Sequence, residues 1–444
     1  MIFGDIAKYQ TYESSILSLF AECAWGKVDE KKETWTLFTD KLYFEKPRDD
    51  VISYSDFLKS IYSPKNELQL PNKDERMKYN QEMKNQRARL VDQFVEIGHP
   101  GEELRDNFYS ILEKLKIPDD VIDKINNGET LDCFADLYRN GYFFVFLSLF
   151  ITMIKLQQEN RDFAIIFRSF GYDTNDVLKE FNAFCTGQHP MFTGEEGKFP
   201  RVYFDGTHGS KNYVVKQDNS GFIYRFSQDF EHLTLIRGVN ERLQKTPLEL
   251  SDYYKHEIMQ GNVEIINGGM NIYNYICDNI VTSKYNSFSM VDEYNMWFTH
   301  DEKPSFGKLF LINPYNFNLH QIFFDDNISR DDRSIVDCKN VITGKTMDTD
   351  NVWNKFIFRV DSLRAAVDIN YFYSCIQIAE EKRKEEYDNM NVTKIFGTTT
   401  KKIIQRIVDE GMHLYEKEGS GLSLAQFFAN YVVANKEIIE QKLK

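Results

Sequence analysis

The sequence predicts an α/β protein built on a Rossmann-like, largely parallel sheet, and three observations carry that expectation. Short apolar runs recur, FAIIF at 163–167 being the clearest, and a parallel strand buried on both faces needs no polar alternation. Amphipathic helical stretches separate these runs, and buried strand, small polar turn and helix in succession is the pattern of βα units. Finally, 444 residues exceed what one core supports, since cores stop growing near about 250–300 residues. The expected division is a core of 1–26, 142–199 and 246–375, a mostly helical cap-like insertion at 27–141, a β-hairpin insertion at 200–245 and a C-terminal helical extension at 376–444.

Taken in order, Ile16, Leu17, Phe20, Ala21 and Ala24 recur at helical spacing and predict an amphipathic first helix. Residues 35–43 alternate like a short strand or hairpin arm. Pro64 and Pro71 break the polar stretch 65–89 into a loop running on into an exposed helix. Helices are expected at 104–115 and 131–156. The second contains FFVFLSLFITMI, which reads as a buried helix: a membrane span needs about 20 apolar residues, and this run ends at Lys155. After FAIIF and a turn, Val177, Leu178, Phe181 and Phe184 mark the next helix.

Between 200 and 245, Gly and Asn punctuate aromatic and β-branched pieces at 201–204, 212–215 and 221–226, which predicts hairpins. Apolar strands return at 263–266, 309–312, 322–324 and 356–360, with a helix at 271–281. EEKRKEE at 380–386 reads as a solvated helix surface. Two amphipathic helices, from Thr398 and from Ser423, meet at the hinge Gly419-Ser420-Gly421. The last carries Leu424, Phe427, Phe428, Tyr431 and Val432 on one side. That stripe is expected to pack on the core or to dock a protein partner as a helix in a groove.

Composition narrows the function classes. Hydrophobic residues are 42% and charged residues 27%, which argues for a globular chain. A formal charge of −14 argues against general nucleic-acid binding and against docking on anionic membrane. The clusters Lys84, Arg87, Arg89 and Lys401, Lys402, Arg406 read as solvated helix faces. Cys23, Cys133, Cys185, Cys277, Cys338 and Cys375 include no CxxC pair, so six thiols in a reducing compartment are expected. No secretory leader pattern opens the chain, and a cytoplasmic location follows as an expectation.

One constellation carries chemistry. QIFFDDN at 321–327 is an apolar strand ending in two aspartates, and ligands of open α/β sheets bind outside the carboxyl ends of strands. Asp325 and Asp326 would supply hard oxygen ligands of the kind Mg²⁺ takes. The alternative is a loop or helix cap. Arg168 and Ser169, after FAIIF, are candidates to contact an anionic group. The segment 205–210 (DGTHGS) reads as a hairpin turn rather than a phosphate loop, and Cys185 with His189 as core.

FAIIFRS, then an insertion, then a lysine, then IFFDDN resembles the haloacid dehalogenase-like (HAD-like) superfamily. More narrowly, AECAWGKV, DFAIIFRSFG, EFNAFCTGQHP and IFFDDN resemble a HAD-like family found in protists and algae. The resemblance spans 1–372. It implies that Ser169 binds a phosphoryl group, that Lys308 (with Lys303 as its competitor) steadies the phosphoryl and nucleophile charges, and that Asp325 and Asp326 hold Mg²⁺. It also implies caps at 27–141 and about 200–245. The family nucleophile is an aspartate ending a first buried strand. Here MIFGDIAKYQT resembles the segment after that motif, Asp5 has no four apolar residues before it, and Ala7 stands two positions later. Two readings follow. One is a non-catalytic structural or interaction subunit of a larger assembly. The other is a Mg²⁺-dependent phosphohydrolase or phosphotransferase whose nucleophile lies upstream of the given start. The missing carboxylate nucleophile favours the first.

Overall fold

A mixed five-stranded sheet forms the centre of the structure, a computed structural model that describes residues 12–29, 34–129, 138, 141–170, 174–195, 198–225, 227–239, 252–282, 285–316, 318–330 and 334–389. The expected C-terminal helices and the opening segment with Asp5 and Ala7 lie outside the described residues.

The chain begins with α1 (Tyr12–Cys23), whose Ile16, Phe20 and Ala21 are buried as their helical spacing requires. It continues into a small antiparallel sheet of β1 (Trp25–Asp29), β2 (Thr34–Leu37) and β3 (Ile52–Ser53), in the order β2-β1-β3. The helices α2 (Tyr54–Ile61), α3 (Lys73–Asp92), α4 (Arg105–Leu115) and α5 (Asp119–Asn126) follow. Asn72 starts α3 by accepting the N–H groups of Asp74 and Glu75 on its side chain. This layer is no separate body. Phe20, Phe94, Leu104 and Phe108 share one core with Phe358, Leu363 and Phe372 from far down the chain.

Next come α6 (Leu147–Gln158), β4 (Ile165–Ser169) and α7 (Thr174–Cys185), then β5 (Ser220–Tyr224), β6 (Thr234–Arg237), α8 (Lys255–Met259), β7 (Glu264–Asn267), α9 (Gly269–Thr282) and β8 (Ser287–Asp292). The principal sheet has the order β4-β8-β5-β6-β7. β8 runs parallel to both β4 and β5, whereas β5–β6 and β6–β7 are antiparallel. The remaining elements are α10 (Tyr294–Thr299), β9 (Lys308–Ile312), β10 (Phe323–Asp325), β11 (Val336–Asn340), α11 (Thr349–Val352), β12 (Ile357–Arg359), α12 (Ser362–Val367) and α13 (Tyr371–Asn389). β9 pairs with β11 and β10 with β12, both parallel, in two further sheets.

The mixed α/β class stands, and four finer expectations change. The central sheet is half antiparallel rather than largely parallel. β4 and β10, expected in one sheet, lie in different hydrogen-bonded sheets. FAIIF is not a doubly buried strand: β4 starts two residues later, forms an edge of its sheet and is only half-buried, because one side lacks a strand neighbour. The strand buried at all six positions is β8; Asn219 Nδ2 donates to its Ser287 carbonyl oxygen at 2.8 Å, whereas the buried Ser289 hydroxyl has no partner among the described residues. Lastly, the β5–β6 hairpin is woven into the principal sheet through β8 rather than set apart as an insertion. The pieces at 201–204 and 212–215 form only an isolated bridge, Asp205 to Asn212, about a turn with Gly206 and Gly209 at positive φ. The apolar run at 143–154 overlaps α6, and among the described residues no helix is long and apolar enough to cross a membrane.

Candidate functional site

Four strands bring their charged ends to one corner. β4 closes with Arg168 and Ser169, β8 with Asp292, β9 opens with Lys308, and β10 ends at Asp325 followed by Asp326. Arg168 forks onto Asp292, with Nε donating to Oδ2 at 2.8 Å, and gives a further hydrogen bond to the Leu309 carbonyl oxygen at 2.8 Å. A bidentate guanidinium–carboxylate pair fixes both planes, so Arg168 ties β4 and β8 to β9. Its guanidinium also lies 5.8 Å from the Phe323 ring centroid on β10.

Lys308 Nζ donates to Asp325 Oδ2 at 2.8 Å, and both side chains are buried. Asp325 Oδ1 accepts the Asn327 N–H at 2.9 Å. Burial alone would push the Asp325 carboxyl up. The Lys308 charge and hydrogen bond outweigh it and hold the carboxyl below its ordinary value. Burial likewise works against the Lys308 ammonium, and the Asp325 charge reverses the balance and raises it. The two groups therefore stand as an ion pair.

Asp326 is different. Partial burial, reinforced by the neighbouring Asp325 charge, pushes its carboxyl up to about 7, and its Oδ1 accepts the Asn327 amide at 3.2 Å. At neutral pH it is a carboxyl poised between its two forms. Glu22, at the end of α1, adds negative charge to it and lies 3.9 Å from the Arg359 guanidinium of β12.

Ser169 is buried at the end of β4, in register with Val291. Its chain neighbours both reach the corner: Arg168 as described, and Phe170 through a ring whose centroid is 5.2 Å from Lys308 Nζ. Of the two candidate lysines, Lys308 meets Asp325, whereas Lys303 is exposed. Lys308, Asp325, Asp326 and the Ser169 end of β4 thus share one region. Among the described residues, no three His, Cys, Asp or Glu side chains are grouped to hold a metal ion.

The sequence reading missed Asp292 and Arg359, and with Asp292 the whole of β8. A signal was present, because SFSMVD is an apolar stretch ending in an acid, the same pattern as IFFDD. It also missed a second buried charge cluster. Arg225, two per cent exposed, donates to Asp337 and to the carbonyl oxygens of Ser305 and Gly307. Thr346 Oγ1 donates to the other Asp337 oxygen at 3.0 Å. Cys185 and His189 are core residues as expected. Burial pushes the Cys185 thiol well up, and His189 lies against Glu180 at 3.2 Å among the Phe143, Phe150 and Phe192 rings.

No family model, no curated protein and no solved structure matches this chain.

Proposed function

We propose that the chain is a HAD-like protein serving as a structural or interaction subunit of a larger assembly, rather than as a phosphoryl-transfer enzyme. The observation that carries this reading is the buried Lys308–Asp325 pair at 2.8 Å. Asp325 already spends one oxygen on an ammonium and the other on a backbone N–H. A paired, hydrogen-bonded buried carboxylate is what a protein interior requires on stability grounds alone. Arg168–Asp292 repeats the device between the neighbouring strands β4 and β8, and Arg225–Asp337 between the end of β5 and β11.

Mg²⁺ does not fit the residues as arranged. Two free anionic carboxylates would suit it, but Asp325 already gives one oxygen to the Lys308 ammonium and the other to the Asn327 N–H. No step is derived through the ion. That Lys308 lies beside the DD pair supports HAD-like ancestry, since the resemblance gives the lysine and the two aspartates separate parts in one site. The separate sheets of β4 and β10 weigh against it.

A second reading, a phosphohydrolase, is favoured by one feature: a carboxyl held at about 7 both gives and takes protons at neutral pH. One assay separates the two. The full chain is incubated with p-nitrophenyl phosphate, with and without Mg²⁺, beside Asp325→Asn and Lys308→Met. The expected result is no turnover above buffer, with both variants losing about 3–5 kcal/mol of stability from stranded buried charge. Mg²⁺-dependent turnover that Asp325→Asn abolishes would establish the enzyme reading instead.

A further inference from the structure

The second buried charge cluster does not balance. Asp337 and Lys339 stand two residues apart on β11 and so share one face of it, and Arg225 reaches Asp337 from the end of β5. All three side chains are buried, and Lys339 keeps only four per cent of its surface exposed. Two cations therefore share one carboxylate. Among the described residues, neither cation has a second acid within ion-pair distance.

The hydrogen bonds of the cluster are divided unequally. Arg225 is well served: its Nη1 donates to the Gly307 carbonyl oxygen at 3.0 Å, and its Nη2 donates to the Ser305 carbonyl oxygen and to Asp337 Oδ2. The other Asp337 oxygen, Oδ1, accepts Thr346 Oγ1 at 3.0 Å. Lys339 Nζ is left 3.6 Å from Oδ2, beyond hydrogen-bond length, and donates to no group among the described residues. The neighbouring strand offers it nothing polar. Lys339 is in register with Leu311 on β9, which belongs to an apolar cluster with Leu309, Phe230 and Leu235. A buried ammonium with three unused donors is unfavourable. The surplus is one positive charge, and it sits at Lys339.

We infer that Lys339 is the binding group of an anion subsite, and that its ligand is a small monoanion of the carboxylate class. Charge sets the sign and the number, because one negative charge brings Arg225, Lys339 and Asp337 to neutrality. Burial sets the size, because so little exposure limits what can reach the ammonium to something small. The carboxylate class follows from the donors: two oxygens can accept two of the three ammonium protons, and hydrogen bonds between ionised groups are the strong ones. The subsite uses none of the groups of the Lys308–Asp325 corner and does not rest on the role proposed above.

Labelling of Lys339 by a small amine-reactive reagent, read peptide by peptide by mass spectrometry on the full chain, tests the subsite with acetate as the probe. Acetate should slow the labelling of Lys339 at least about three-fold, the factor reached at twice its dissociation constant by mass action. The exposed Lys345 should label at an unchanged rate, and sodium chloride at equal ionic strength should not slow Lys339. In urea, acetate should raise the wild-type midpoint. Lys339→Met should match or exceed wild type in buffer without acetate, since the surplus charge is gone, and should show no acetate-dependent rise. Acetate without effect on Lys339, or chloride with an equal effect, would overturn the inference. So would a Lys339→Met variant weaker than wild type without acetate, because Lys339 would then be an ordinary partner of Asp337.

Discussion

At the scale of single residues, Asp326 has the most measurable consequence. Its folded carboxyl stands at about 7, above the roughly 3.9 of an unfolded aspartate. A raised carboxyl contributes stability that is complete below the unfolded value and is lost as pH climbs through the folded one. Wild type should therefore weaken between about pH 4 and pH 7. Asp325, whose carboxyl is depressed, contributes in the opposite sense, with a contribution lost only as pH falls below that window. Asp326→Asn removes the penalty, so urea midpoints for the variant should exceed wild type at pH 8 and converge with it at pH 4. A variant that tracks wild type across this range would contradict the assignment.

Among secondary-structure elements, α7 shows how one buried side chain fixes two loops. Glu180 on α7 is fully buried; its Oε2 accepts the N–H groups of Phe144 at 2.7 Å and Val145 at 3.2 Å, and its Oε1 meets His189 Nε2 at 3.2 Å. Met191 N–H then donates to His189 Nδ1 at 3.2 Å, which leaves the Nε2 proton for Glu180. Removing the carboxylate strands three donors in an apolar interior. Glu180→Ala should cost about 3–5 kcal/mol by chemical denaturation, and Glu180→Gln, which keeps one acceptor oxygen, about half of that. Equal losses for the two would mean that packing, not hydrogen bonding, sets the role.

The elements also show what could be read in advance. α1, α4 and α7 were legible because 3.6-residue periodicity is a local property, and α3 because the breakers Pro64 and Pro71 precede a polar run. Asp325 and Asp326 were legible because acids after an apolar run mark strand ends, and Lys308 only through what the resemblance implies. Sheet membership was not legible. β8 alternates serines with apolar residues, and Ser287 suits a central strand only because Asn219 and Tyr213 lie nearby to answer it. Such partners come from loops roughly 70 residues away in sequence, and no window of sequence contains them. Asp292 ended a stretch with the same pattern as IFFDD, but its role exists only opposite Arg168, 124 residues earlier.

For the molecule as a whole, the mixed five-stranded sheet and two small parallel pairs are tied together by buried charge. Arg168 links the principal sheet to β9, Lys308 links β9 to β10, and Arg225 links the end of β5 to β11. Breaking such a pair from one side leaves a buried charge uncompensated. Arg225→Met should therefore lower stability and also split the unfolding transition. Tryptophan emission, reporting through Trp25, Trp35, Trp297 and Trp353, should separate from far-UV circular dichroism in urea. In wild type the two curves should coincide. Coincident curves in the variant would show that apolar packing alone couples the sheets.

The strand order β4-β8-β5 sets a timetable for birth on the ribosome. β8 is the wedge between two strands that precede it, and it is translated roughly 120 residues after β4 and about 60 after β5. At about 5–20 residues per second, the edge of β4 stays without its partner for roughly 6–24 seconds of synthesis. Closure then has to draw together segments far apart in sequence, which is slow by topology. A nascent chain stalled before Ser287 carries two unsatisfied strand edges, the feature by which chains recruit one another into aggregates. Wherever this protein is made, the hazard is highest just before its most deeply buried strand is translated.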